Sequence, residues 1–72
     1  MGNRQQSENR SLAKLRRRTG MTQHQLANET GIAVGRIVFF ETERSELLPQ
    51  EIDKVRSVLR KRARQTAMDA VR

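Results

Sequence analysis

The chain has 72 residues, a formal net charge of +7, a pI near 11.5 and no cysteine. At this length one small domain is expected, near the size where a single core is marginal and a second copy or a ligand often helps. Without cysteine there is neither a disulfide framework nor a thiolate metal site. One histidine, no glycine-rich phosphate loop and no ligand cluster leave nothing from which to build a catalytic site, so no enzyme, cofactor or metal is expected.

Residues 1–8 are polar and without periodicity, and read as a disordered N-terminal arm. MGNRQQSENR has no apolar h-region, and Gln6 stands where a myristoylation motif needs Ser or Thr. No apolar run approaches the ~18 residues of a membrane span. The expectation is a cytoplasmic protein with no membrane partner, associated with the nucleoid when it is bound to DNA.

A helix is expected from Asn9 or Ser11 to Thr19, with Leu12, Leu15 and Thr19 on one face and Gly20 as its left-handed stop. Thr22 and Gln25 then form a capping box, and Met21 sits at stapling distance from Leu26. The helix that follows, QHQLANET, ends at Gly31. Next comes AVGRIVFFE (33–41), whose Val, Ile and Phe favour a strand on propensity. Alternation would put Arg36 on one strand face with Val34, Val38 and Phe40. Helical spacing instead puts Ile37, Phe40, Glu41 and Arg44 together, and Ile32 and Ile37 have the spacing of a second staple. A helix is therefore expected here against propensity. ERSEL forms a loop, and Pro49 suits the first position of a last helix whose inner face is Ile52, Val55 and Leu59. Residues 61–72 read as a basic helical extension or tail.

Charge is uneven: residues 1–20 carry +5, residues 21–48 carry −2 and residues 49–72 carry +4. Basic flanks around a slightly acidic centre suit a surface that meets phosphates at its edges. The stretch TQHQLANETGIAVGRIVFFE has the pattern helix, glycine turn, helix. Leu26 belongs to a core, Ala27 is small enough for a close crossing, and Ile32, Ile37 and Phe40 hold the second helix to the first. This arrangement is a helix-turn-helix, in which the second helix lies in the major groove of DNA.

The register T-Q-x-x-L-A-x-x-x-G-I-x-x-x-x-I-x-x-x-E resembles the Xre family, the domain of lambdoid phage repressors and Cro, over about residues 10–60. The resemblance implies an all-α fold: a compact bundle of four to five helices, with 9–60 as the DNA-binding domain. It further implies that Arg16 pairs with Glu41, and that Gln23 meets the phosphate backbone. Base-reading positions map onto Val34, Gly35 and Phe39, with Arg36 and Thr42 beside them. Three features depart from the family. Ala33 replaces a Ser or Thr cap, forgoing about 1 kcal/mol. TER stands where the family has glycine after Glu41, and the tail is too polar for an ordinary fifth helix.

Of the mapped positions only Arg36 offers a fork. It suits guanine O6 and N7 or a phosphate, with a solvated side chain as the plain alternative. Val34 and Phe39 offer only apolar contact to thymine methyls, and Phe39 suits a partner subunit equally. Gly35 permits close approach, so shape readout has much to supply. His24 is a surface residue near phosphate. Arg17, Arg18 and the RKRAR run are phosphate clamps or solvated faces. Leu47, Leu48 and Glu43, with the last helix, are the expected dimer contact.

The functional expectation is a sequence-specific regulator of transcription, a repressor or Cro-like switch, binding palindromic double-stranded DNA as a homodimer. Two alternatives share the fold. One is the DNA-binding antitoxin of a toxin–antitoxin pair. The other is a protein-interaction module, such as an anti-activator, with Val38 and Phe39 as its sticky face.

Overall fold

Four helices form, and the signals at their ends can be read in the backbone. In a computed structural model the backbone is described for residues 5–70 and the side chains for residues 8–66. The elements are α1 (Gln5–Arg18), α2 (Gln23–Thr30), α3 (Val34–Glu41) and α4 (Pro49–Ala70). No strand occurs among the described residues.

α1 starts earlier than the sequence suggests. Residues 5–8 are helical rather than part of a loose arm; residues 1–4 lie outside the described residues. Asn9 is therefore not an N-cap. It sits within the helix, fully buried, and its Oδ1 accepts no hydrogen bond. α1 ends in a Schellman motif: Gly20 N–H donates to Arg17 O, Met21 N–H donates to Arg16 O, and Gly20 has φ +78°.

α2 opens on the full capping box. Thr22 Oγ1 accepts from Gln25 N–H at 3.0 Å, and Gln25 Oε1 accepts from Thr22 N–H at 2.8 Å. Gly31, at φ +76°, closes it. α3 then starts after Ile32 and Ala33, and Ala33 gives no side-chain cap. Tertiary burial outweighs the strand propensity of VGRIVFFE: Ile37 and Phe40 are each 1% exposed.

α3 ends in a second Schellman motif. Glu43 N–H donates to Phe40 O and Arg44 N–H to Phe39 O, so Glu43 takes the left-handed position at φ +63°. This is where the resemblance leads one to expect glycine. A side chain there costs on the order of 1 kcal/mol or more of strain. The loop then drops Leu47 into the core before Pro49 opens α4.

The core is a single cluster: Leu12, Met21, Leu26, Ala27, Ile32, Ile37, Phe40, Leu47, Ile52, Val55 and Leu59, with Leu15, Val34 and Val58 packed at its edge. α3 and α4 each pack against both α1 and α2. Among the side chains described, Leu59 is the last fully buried one of α4, yet the helix runs on without a break to Ala70. The expected extension is thus continuous with the last helix. Residues 71–72 lie outside the described residues.

Candidate nucleic-acid interface

Arg16 and Glu41 come together across 25 residues of chain. Arg16 Nε donates to Glu41 Oε2 at 2.7 Å and Nη2 donates to Oε1 at 3.0 Å. Arg16 Nη1 also donates to Met21 O at 2.8 Å, in the turn before α2. Gln23 completes the group: its Nε2 donates to Glu41 Oε1 at 2.9 Å. One carboxylate on α3 is thereby held by α1 and α2 at once. Arg16 and Glu41 side chains are 11% and 5% exposed, so both charges are largely withdrawn from water but fully paired. Gln23 was expected to meet phosphate; instead its amide nitrogen is engaged inside the domain.

The opposite side of α3 faces out. Gly35, Arg36, Phe39 and Thr42 are exposed, Phe39 by 50%, and a side chain at Gly35 would meet nothing. Val34 and Val38 are half-buried, with Val34 against the core, so Val34 offers only an edge. The Thr42 hydroxyl donates back to Val38 O at 2.9 Å, a local use that leaves its lone pairs outward.

Arg36 is neither free nor simply solvated. Its Nη1 and Nη2 both donate to the Glu51 carboxylate, the latter at 2.9 Å, joining the first turn of α3 to the first turn of α4. Glu51 Oε1 also accepts the Leu48 N–H at 2.8 Å, which caps α4. These contacts, the Arg36 hydrogen bond first, lower the Glu51 pKa, so the carboxylate is ionised at neutral pH. Two fork nitrogens of the one guanidinium on this face are therefore occupied before any ligand arrives. Local periodicity gives no sign of this pair. The only hint in the sequence is Glu51 three residues after Leu48, the spacing of a cap.

His24, Arg17 and Arg18 are all exposed. His24 lines a shallow concavity with Asn28, Gly31 and Val34, between α2 and the start of α3. Arg17 and Arg18 have no acidic partner among the described residues.

The expected dimer contact needs correction. Leu47 is 3% exposed within its own chain, and Ile52, Val55 and Leu59 are likewise covered, so none of them is available to a second subunit. Glu43 bonds to Arg10 at 3.2 Å. Of the three named residues only Leu48, 52% exposed, presents apolar surface.

No known protein family, curated protein or solved structure matches the chain.

Proposed function

We propose that this protein is a sequence-specific double-stranded DNA-binding regulator of transcription. In this reading α2 and α3 act as a helix-turn-helix and α3 enters the major groove. One observation carries it: the Arg16–Glu41–Gln23 group fixes the inner side of α3 to α1 and α2 while Gly35, Arg36, Phe39 and Thr42 stay exposed on the other. A reading helix needs this combination, a rigid back and an open front. Arg17, Arg18 and His24 supply the phosphate contacts beside it, and the net charge of +7 supplies attraction.

The unit that binds is a homodimer on a palindrome, because one recognition helix reads only a few base pairs. Half-sites then lie about 34 Å apart. Exposed Leu48, rather than Leu47, is the apolar residue that the dimer contact uses. Within this reading the role is that of a repressor or Cro-like switch, with the DNA-binding antitoxin of a toxin–antitoxin pair as the alternative on the same fold.

A second reading, a protein-interaction module, draws on Phe39, because an aromatic half in water on a rigid helix also suits a protein partner. Footprinting on the DNA upstream of the gene, repeated over a salt series, separates the two. DNA binding predicts protection of a symmetric site and an affinity that falls on the order of 10³-fold from low to physiological salt if six or more phosphates are neutralised. Absence of any salt-sensitive duplex binding would remove the DNA reading and leave the interaction module.

A further inference from the structure

α4 carries two kinds of cation. Arg56 pairs with Glu8 of α1 and lies 3.4 Å from Asp53, and Arg62 pairs with Glu29 of α2 at 3.0 Å. These two bind α4 to the rest of the domain. Lys54, Arg60, Lys61 and Arg64 are exposed and form no ion pair among the described residues, although Lys54 acts electrostatically on Glu51 three residues before it.

Those four share a side of the helix. With successive residues about 100° apart, they lie about 100–160° round from Leu59, the innermost residue of α4. Glu51, which holds Arg36 of α3, and Arg62, which holds α2, stand on one flank of the buried stripe; Arg56, which holds α1, stands on the other. The four cations therefore occupy the back of α4, away from the helices it packs against. From Lys54 to Arg64 this face is about 15 Å long. Asp53 stands on this face, about 120° round from Leu59, and shares Arg56 with Glu8, so the four cations outnumber the acid among them. Arg60, Arg64 and Ser57 line a shallow concavity along it.

We propose that the back of α4 is a second duplex-binding surface, which grips the phosphate backbone of a DNA segment other than the one at α3, so that the protein bridges two duplexes. The inference rests on the reading above only in taking duplex DNA as the polyanion. Charge complementarity selects this occupant. Four exposed cations over about 15 Å, none of them in a close ion pair, meet a polymer that bears one negative charge per ~1.7 Å of axis, and such binding needs no apolar anchor. A stable protein interface is centred on a buried apolar or aromatic anchor, and stable membrane attachment adds an acyl chain or apolar helix face to a basic patch. The large hydrophobic residues exposed among those described are Phe39 and Leu48, and neither is on this face. Glu51 marks the flank of α4 that meets α3, and Arg60 and Arg64 stand about 140–180° round the helix from it, so they face away from a duplex seated on α3.

The test captures one duplex on beads and measures retention of a second, labelled duplex, using the full chain. Wild type should retain it at low salt. R60Q/K61Q/R64Q, with exposed side chains and good helix formers throughout, should fold normally by circular dichroism and protect a single operator as before. It should lose second-duplex retention at least tenfold, and the salt slope of retention should fall by about three units. Conversely, G35E places an acid on the open face of α3. It should lose the operator footprint and keep salt-sensitive duplex binding through α4.

Wild type that binds one duplex and never retains a second overturns the proposal and leaves the recognition helix intact. So does undiminished bridging by the triple variant, which would assign bridging to two α3 faces of a dimer. Retention on phosphatidylserine vesicles without bridging would give the face to a membrane and equally overturn it. If wild type binds no duplex at all, the functional reading itself fails.

Discussion

Two arginine–glutamate forks anchor α3, and burial is the difference that matters most between them. Arg16–Glu41 and Arg36–Glu51 are both bidentate, but the side chains of the first are 11% and 5% exposed and those of the second 47% and 15%. Burial changes what the same chemistry does. An inner pair without one partner leaves a charge in a poor solvent, so it behaves as a rivet. An outer pair has water, or a phosphate, ready to replace either partner, so it behaves as a clasp that can open. The two sit at opposite ends of an eight-residue helix, one holding its last residue and the other its third.

The largest effect should come from breaking the rivet. Glu41→Ala strands Arg16 and frees Gln23, and should cost on the order of 3 kcal/mol, enough to unfold much of so small a domain. Thermal or urea unfolding checks this; a Tm equal to wild type would mean that the pair is no more buried in effect than the clasp.

The clasp should show itself in binding rather than in melting. Arg36→Ala should weaken operator binding by about 1–3 kcal/mol per half-site, both because the fork is gone and because Glu51 is left bare beside DNA. Glu51→Gln keeps an acceptor for the Leu48 N–H while releasing Arg36. It should tighten binding a few-fold, by the roughly 0.2–1 kcal/mol that an exposed pair carries. The double variant should bind better than Arg36→Ala alone. Equal affinities for the single and double variants would show that Glu51 has no hold on recognition.

Acid gives a gentler way to open it. The lowered Glu51 pKa means that its contribution is fully present above the ordinary glutamate range and is lost as pH falls through the lowered value. An NMR titration of the Glu51 carboxyl should give a midpoint below that of ordinary glutamates. In Arg36→Ala that midpoint should rise, which would identify Arg36 as the main cause.

A third pair extends the series to its weak end. Arg10 and Glu43, 77% and 31% exposed, meet at 3.2 Å, with Glu43 in the left-handed region. Glu43→Gly removes the strain together with a pair of little worth, and should raise stability by up to about 1 kcal/mol. Denaturant unfolding measures it; a loss of stability would show that the Arg10 contact outweighs the strain.

The three pairs also mark how far the sequence can be read. Helix ends were legible wherever a local signal marks them: Gly20, the Thr22–Gln25 box, Gly31 and Pro49 all lie at ends of the observed helices. The start of α1 was not, because Gln5, Gln6 and Ser7 have no apolar rhythm to reveal a helix. The sequence presents Glu43 as a dimer contact in a run that lacks the family glycine, since nothing in TER announces a left-handed residue. Of the three pairs only Arg16 and Glu41 were named in advance, and the family-like register supplied them. Arg36–Glu51 and Glu8–Arg56 join residues 15 and 48 positions apart on helices whose relative placement no periodicity encodes. Leu47 was misassigned for a similar reason: two adjacent leucines in a loop look alike until one of them is folded inward.

Glu8–Arg56 has a consequence for how the chain is made. It joins the first helix to the last, and Ile52, Val55 and Leu59 close the same core that Leu12 opens. A nascent chain synthesised only as far as Leu48 holds Leu12, Leu26 and Phe40 without the helix that covers them. Since α4 packs on both α1 and α2, neither acquires its full contacts until α4 has emerged from the ribosome. Closing of the core therefore waits for α4, and a chain truncated before α4 is left with an open core.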